Sequence, residues 1–413
     1  MDIIRDITVQ ARKRLNTPEI LLFTGARQVG KTTILKQLQH GLEPGKALCH
    51  FLNLEDPEYL ELLDQSPKNL FKIIDTGKKQ RNFIFIDEIQ YLKNPTNFLK
   101  YFYDEHGENI KLIVSGSSAF YIDRKFKDSL AGRKRIYQVN TLSFSEFLRF
   151  KKEEYLAGLL PLGFSPDNYL LKKKMDLKNY EKLSAYSDEF MIFGGYPRVA
   201  LADETEEKKM VLQDIGYSYI KKDLYDNGVR QENVFFKLMK ILAAQTGGIL
   251  NANELAGTLG ISKTAIDNYL YILQKSYHIR LVKPFFNNAR KELTKMPKIF
   301  FRDTGLRNFF ADDFRKMSVR HNKGALLENA AFCKIEERFP AEKINFWRTP
   351  QGHEIDFVIN ADMAFEVKFS TRAIHTKKYQ YFLEKYPEIT LNFITHSKNS
   401  GENLKNEWEV WEL

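Results

Sequence analysis

FTGARQVGKTTILKQLQ, residues 23–39, decides how the first third of this chain reads. Its core, GARQVGKT, fits the pattern G-x-x-x-x-G-K-[ST], with Gly25, Gly30, Lys31 and Thr32 at the fixed positions. The glycines let backbone N–H groups turn into the loop, and the helix that follows adds the positive end of its dipole, so the stretch is built to hold phosphate. The context is right. EILLF before the loop reads as a buried strand, and TTILKQLQ after it reads as a helix. A plain glycine turn between strand and helix would leave Lys31 and Thr32 unexplained. Residues Gly25, Ala26, Arg27, Gln28, Val29, Gly30, Lys31, Thr32 and Thr33 are therefore the expected nucleotide loop. Lys31 is expected on the β/γ-phosphates and Thr32 on Mg²⁺, making ATP and Mg²⁺ the expected ligands.

Downstream, NFIFIDE (82–88) is an apolar strand that ends in two acids. A carboxylate at the end of a buried strand is costly without a partner. Mg²⁺ supplies one for Asp87, with helix capping as the other reading, and Glu88 is then placed to polarise a water for hydrolysis. IKLIVSGS (110–117) ends in Ser115 and Ser117, followed by Ser118. Ser117 is the residue expected to sense phosphate or position water, although turn chemistry alone also explains these serines. Phosphoryl transfer needs a cation for the developing charge. Arg133, beside RIYQVN (135–140), is the leading choice over Arg124, Arg135 and Arg27, each of which also reads as ordinary solvated surface.

The motifs GARQVGKTT, FIFIDEIQ, LIVSGSS, AGRKRIYQVNTLSFSEF and FGGYPRV together resemble the AAA+-type ATP-binding proteins of bacteria and archaea, in which the ATPase is followed by a domain of unknown function. The similarity runs over nearly the whole chain. It implies an ATPase core with strands ordered 5-1-4-3-2 and a helical lid, and it leaves the biological role undefined. AAA+ relatives often form rings, so a homo-oligomer is possible, and a trans-acting Arg133 would require one.

At 413 residues the chain is too long for one compact domain. Short β-rich runs separated by helical stretches argue for a mainly parallel, helix-covered sheet over residues 1–150. Residues 151–230 read as the helical lid. Residues 231–305 have helix–turn–helix grammar. Ser262 caps SKTAIDNYLYILQKS, whose Ile266, Tyr269, Leu270 and Leu273 make one stripe, and HIRLVKPFF and PKIFFRD supply the wing. If that winged helix reads DNA, Lys263, Thr264, Asp267 and Asn268 face the groove; a spacer or protein-docking role is the blander reading.

The last segment, 306–413, contains the hairpin HEIDFVINADMAFEVKFS (353–370). Strand alternation puts Glu354 and Asp356 on one face of the first strand, and Glu366 and Lys368 on one face of the second. The D…E-x-K order resembles the PD-(D/E)xK nuclease core, in which two carboxylates hold a divalent metal and a lysine orients the water. Glu328, on the helix GALLENAAFCKIEERF, matches the upstream glutamate, while Ile355 stands where that signature has proline. An amphipathic hairpin with charged outer pairs is the plainer explanation. The expected fold is thus α/β: a P-loop NTPase (AAA+-like) parallel sheet with a helical lid, a winged helix-turn-helix, and an α/β restriction-endonuclease-like end.

A formal charge of +10 points to an acidic partner, DNA first, with a protein partner as the alternative. The opening MDIIRDITVQARKRLN carries Ile3, Ile4, Ile7, Ala11 and Leu15 at helical spacing and does not read as a signal peptide, and no run suits a membrane span. Cys49 and Cys333 are too few and too far apart for a disulfide framework, so a reduced, cytoplasmic setting is expected. Three functions follow. The first is an ATP-driven switch or remodeller coupled to a nucleic-acid- or protein-binding module. The second is an ATP-gated metal-dependent nuclease, and the third a nucleotide-controlled interaction scaffold.

Overall fold

A computed structural model describes residues 3–42, 48–75, 81–116, 130–161, 175–219, 221–222, 225, 229, 231–285, 296–397 and 407–412. The chain packs as two compact units, residues 1–140 with 275–277, and residues 141–274 with 278–413.

The first unit is built on five parallel strands: β1 (Ile20–Thr24), β2 (Leu48–Asn53), β3 (Asn82–Asp87), β4 (Ile110–Gly116) and β5 (Lys134–Gln138). Their order is β2-β3-β4-β1-β5, which is the 5-1-4-3-2 arrangement implied by the resemblance. β1, β3 and β4 are buried at every position, as central strands of a parallel sheet must be when both faces are covered. Ile84, Ile86, Leu112 and Val114 meet Phe98, Leu99 and Phe102 of the helix Pro95–His106 in one apolar core. The short N-terminal helix Asp6–Arg12 is tied in through Arg5, which donates to the carbonyls of Val29 (3.0 Å) and Asn140 (3.1 Å). That guanidinium steadies the back of the glycine loop.

The second unit begins with helices, among them Leu177–Phe193 and Thr205–Asp214. Three more follow: Glu232–Ala244, Ala252–Leu259 and Lys263–Lys275. Asn251 and Ser262 cap the second and third of these, and Gly260 ends the second in the left-handed conformation (φ 68°). Ile266, Tyr269, Leu270 and Leu273 are buried, as their spacing predicts. An antiparallel hairpin comes next, β6 (Ile279–Pro284) with β7 (Lys298–Phe301).

The hairpin does not stand apart from the C-terminal sheet. β6 runs parallel to β8 (Ile344–Arg348), joining β9 (Glu354–Ile359), β10 (Met363–Ser370), β11 (Thr390–Ser397) and β12 (Glu407–Glu409) in a seven-stranded sheet ordered β12-β11-β10-β9-β8-β6-β7. The helix Lys323–Arg338 packs on β10 and β7 and carries Glu328. β9 and β10 pair antiparallel only from Ile359–Met363 to Phe357–Phe365. Beyond that, the carboxylate of Asp356 accepts the Val367 N–H at 2.9 Å, so the main chains part at the acidic positions. Among the described residues no helix is long and apolar enough to cross a membrane.

Candidate nucleotide site and a buried carboxylate cluster

The glycine loop follows the C-terminal end of β1, an interior strand of the first sheet that lies between β4 and β5. Gly25 has no room for a side chain, because a Cβ there would lie 2.1 Å from the Val139 carbonyl oxygen. Gly30 caps the helix Lys31–His40 with φ 95°, a region glycine enters freely and other residues avoid. Lys31 is buried, and its ammonium donates to the loop's own carbonyls, Gly25 at 3.0 Å and Ala26 at 2.8 Å.

Asp87, at the end of β3, is 3% exposed and receives two hydroxyls. Thr32 Oγ1 donates to its Oδ2 at 2.5 Å, and Ser115 Oγ donates to its Oδ1. Ser115 in turn accepts the Glu88 N–H at 3.2 Å. Glu88 sits in the left-handed region (φ 57°, ψ 47°), a conformation that costs roughly 1–3 kcal/mol for a residue with a long side chain. Its carboxylate accepts a hydrogen bond from Gln90 Nε2. The hydroxyl of Thr32 and the carboxylate of Asp87 make an all-oxygen pair of the kind Mg²⁺ takes, so these residues fit that ion.

One expected residue lies outside the described residues and another lies away from the loop. Ser117 is outside the described residues, and the serine beside Asp87 is Ser115. Arg133 belongs to the opposite edge of the sheet. Its carbonyl accepts the Ile20 N–H at the start of β1, whereas the loop leaves the end of β1 after Thr24. About 13 Å of strand separates the two edges. The Arg133 guanidinium instead donates to Asp104 Oδ1 at 2.7 Å. Arg135 pairs in register with Leu21, one residue further along, and Arg27 is buried within the loop itself.

Residues 17–148 match the family model of the AAA domain. With the parallel sheet and the glycine loop, that match gives the first unit the α/β fold of an AAA domain. Residues 185–316 and 323–413 match two domains of unknown function, DUF8612 and DUF4143. The chain is 26% identical to an uncharacterized protein of Methanocaldococcus jannaschii, over 97% of this chain and 86% of that one. It is 24% identical to an uncharacterized protein of Mycobacterium tuberculosis, over 88% and 73%. Solved structures similar to it include the Aeropyrum pernix ORC1 protein in complex with DNA, with a TM-score of 0.32 and 10% identity over 76% of this chain and 94% of that one. The Thermotoga maritima RuvB Holliday junction branch migration motor has a TM-score of 0.32 and 17% identity, over 70% and 91%.

In the second unit, the structure gathers Glu328, Asp356, Glu366 and Lys368, together with three residues outside that set, Lys298, Glu354 and Tyr379. Lys298, on β7, is 3% exposed on its side chain and sits among three carboxylates: Glu354 at 2.6 Å, Glu328 at 3.0 Å and Asp356 at 3.4 Å. Lys368 pairs with Glu366 at 2.5 Å, and the Tyr379 hydroxyl donates to the same Glu366 oxygen at 3.1 Å. The other oxygen of Glu366 is buried without a hydrogen-bond partner. Burial, reinforced by Asp356, pushes the Glu366 carboxyl up to about 7 and that of Glu328 up to about 8. Three carboxylates share one ammonium, so they cannot all ionise at no cost. Among the described residues no group of three or more carboxylates, histidines or cysteines is arranged to hold a metal ion. With Lys298 in place, the carboxylates of the expected nuclease set do not fit a divalent ion.

The exposed face of the helix Lys263–Lys275 carries Lys263, Thr264, Asp267 and Asn268, as expected. Lys263 is engaged by Asp267 one turn on, at 2.5 Å, which leaves that face little net charge.

Proposed function

We propose that this chain is a Mg²⁺-dependent ATPase whose nucleotide cycle switches or remodels a partner bound by its second unit. The observation that carries the proposal is the convergence of Thr32 and Ser115 on the buried carboxylate of Asp87, next to a Glu88 held in a strained backbone conformation. In this reading residues 25–33 wrap the phosphates, and Lys31 exchanges its two carbonyls for phosphate oxygens. Thr32 and Asp87 hold Mg²⁺, whose charge offsets that of the phosphates when bound. Glu88 orients a water and takes its proton as the new O–P bond forms at the γ-phosphorus. The bond to the bridging oxygen breaks, giving ADP and phosphate. Glu88 must leave Gln90 to do so, which makes Gln90 a positioning residue. Ser115 takes the orienting role expected of Ser117, and Arg133 would serve only the nucleotide of a second copy.

Binding, rather than cutting, is the role we give the second unit. The charge of +10 and the exposed Thr264 and Asn268 make nucleic acid the first partner to test. Labelled single- and double-stranded DNA, run on a native gel with protein and Mg²⁺, should shift more strongly with ATP than without, and Lys31→Ala should lose that difference. DNA that neither shifts nor changes the rate of ATP turnover overturns the nucleic-acid assignment and leaves a protein partner.

A further inference from the structure

The cluster in the second unit holds four carboxylates, from Glu328, Glu354, Asp356 and Glu366, and two ammonium groups, from Lys298 and Lys368. An ammonium has three N–H donors and no acceptor. Lys298 faces three carboxylates at 2.6, 3.0 and 3.4 Å, one for each donor, so its hydrogen-bonding capacity is filled. Two of the three, at 3.0 and 3.4 Å, are longer than the 2.0–2.6 Å or so of oxygen ligands around Mg²⁺ or Ca²⁺, as suits an ammonium ion pair.

The lysine is also fixed from behind. Its backbone pairs with Val282 of β6 on one side and bridges Ile249 on the other, and its ammonium lies 5.6 Å from the centre of the Phe346 ring on β8. Lys368 adds a second ammonium on the far side of the cluster, paired with Glu366 at 2.5 Å.

We propose that the Lys298 ammonium is the resident cation of this cluster, occupying the place a divalent ion would need. The D…E-x-K set is therefore closed to metal in the wild-type chain, and removing Lys298 while keeping the carboxylates opens a divalent-cation site. The nuclease-like arrangement then serves as a self-neutralised core of a binding unit. This does not depend on the ATPase reading.

The test counts Mn²⁺ bound to the nucleotide-free full chain, from the EPR signal of the free aqua ion, for wild type, Asp356→Asn, Lys298→Met and the Lys298→Met/Asp356→Asn double variant. Wild type and Asp356→Asn should bind equally. Lys298→Met should gain one site at least tenfold tighter than any in the wild type, and the double variant should lose it. Mn²⁺ should also raise the melting temperature of Lys298→Met and leave that of the wild type unchanged. An Mn²⁺ site in the wild type that Asp356→Asn removes overturns the proposal, and this comparison does not need Lys298→Met to fold. A folded Lys298→Met that gains no site overturns it equally.

Discussion

Glu366→Gln should change how the stability of the second unit depends on pH. Glu366 is 3% exposed, and burial beside Asp356 raises its carboxyl from 4.5 to about 7. Between those values the folded chain keeps a proton that the unfolded chain has released. The unfolded state therefore binds fewer protons, and stability falls as pH rises through this window. One proton costs about 1.4 kcal/mol per pH unit, so this carboxyl should remove about 3 kcal/mol between pH 4.5 and 7.5. Asp356, Lys368 and Tyr379 face the same carboxyl and stay in place in the variant. Glutamine has the shape of the protonated acid but cannot ionise, so the variant should match the wild type near pH 4.5 and exceed it by about that amount near pH 7.5.

The assay is urea unfolding followed by tryptophan fluorescence at half-unit pH steps. The chain's three tryptophans, Trp347, Trp408 and Trp411, are all buried in the second unit, so the signal reports on that unit. Parallel pH curves for wild type and Glu366→Gln would refute the argument, because the proton would then lie elsewhere.

Further outcomes follow from the first unit. Gln90→Ala frees the Glu88 carboxylate and should raise basal ATP turnover severalfold while leaving ATP affinity nearly unchanged, as read by turnover and by binding of a fluorescent ATP analogue. An unchanged rate would mean that Gln90 does not hold Glu88 back. Gly25→Ala puts a Cβ 2.1 Å from the Val139 carbonyl, so the loop or β5 must move; ATP binding should weaken at least tenfold, with a stability loss of roughly 1–3 kcal/mol in thermal unfolding. Arg5→Met removes the guanidinium from the Val29 and Asn140 carbonyls and should cost about 1–3 kcal/mol, with weaker ATP binding because Val29 belongs to the loop.

The sheet was legible because its strands are parallel and central: ILLFT and NFIFID read as unbroken apolar runs, and the acid ending the second announced Asp87. The place of Arg133 follows from the same logic. It precedes β5, and in a parallel sheet every residue that precedes a strand lies at the edge away from a loop that follows one. The choice between Ser115 and Ser117 turns on where β4 ends, which its apolar run does not fix. In the second unit, alternation put Asp356, Glu366 and Lys368 on one side of the hairpin but could not say how far that side is covered. Glu366 is buried there, while Asp356 and Lys368 are half-buried. Lys298 carried one faint signal, a lysine opening the apolar strand KIFF, where a buried cation must find anions. Its partners lie 30 to 58 residues away, beyond any local pattern.

The central claim is that Asp87 and Glu88 close a hydrolytic ATP site on the glycine loop. Its most direct test is single-turnover hydrolysis of ATP with Mg²⁺ by wild type and Glu88→Gln, with ATP binding measured on the same preparations. The account predicts bound ATP in both and a rate about 10²–10⁴-fold lower in the variant. Equal rates with equal binding would contradict it.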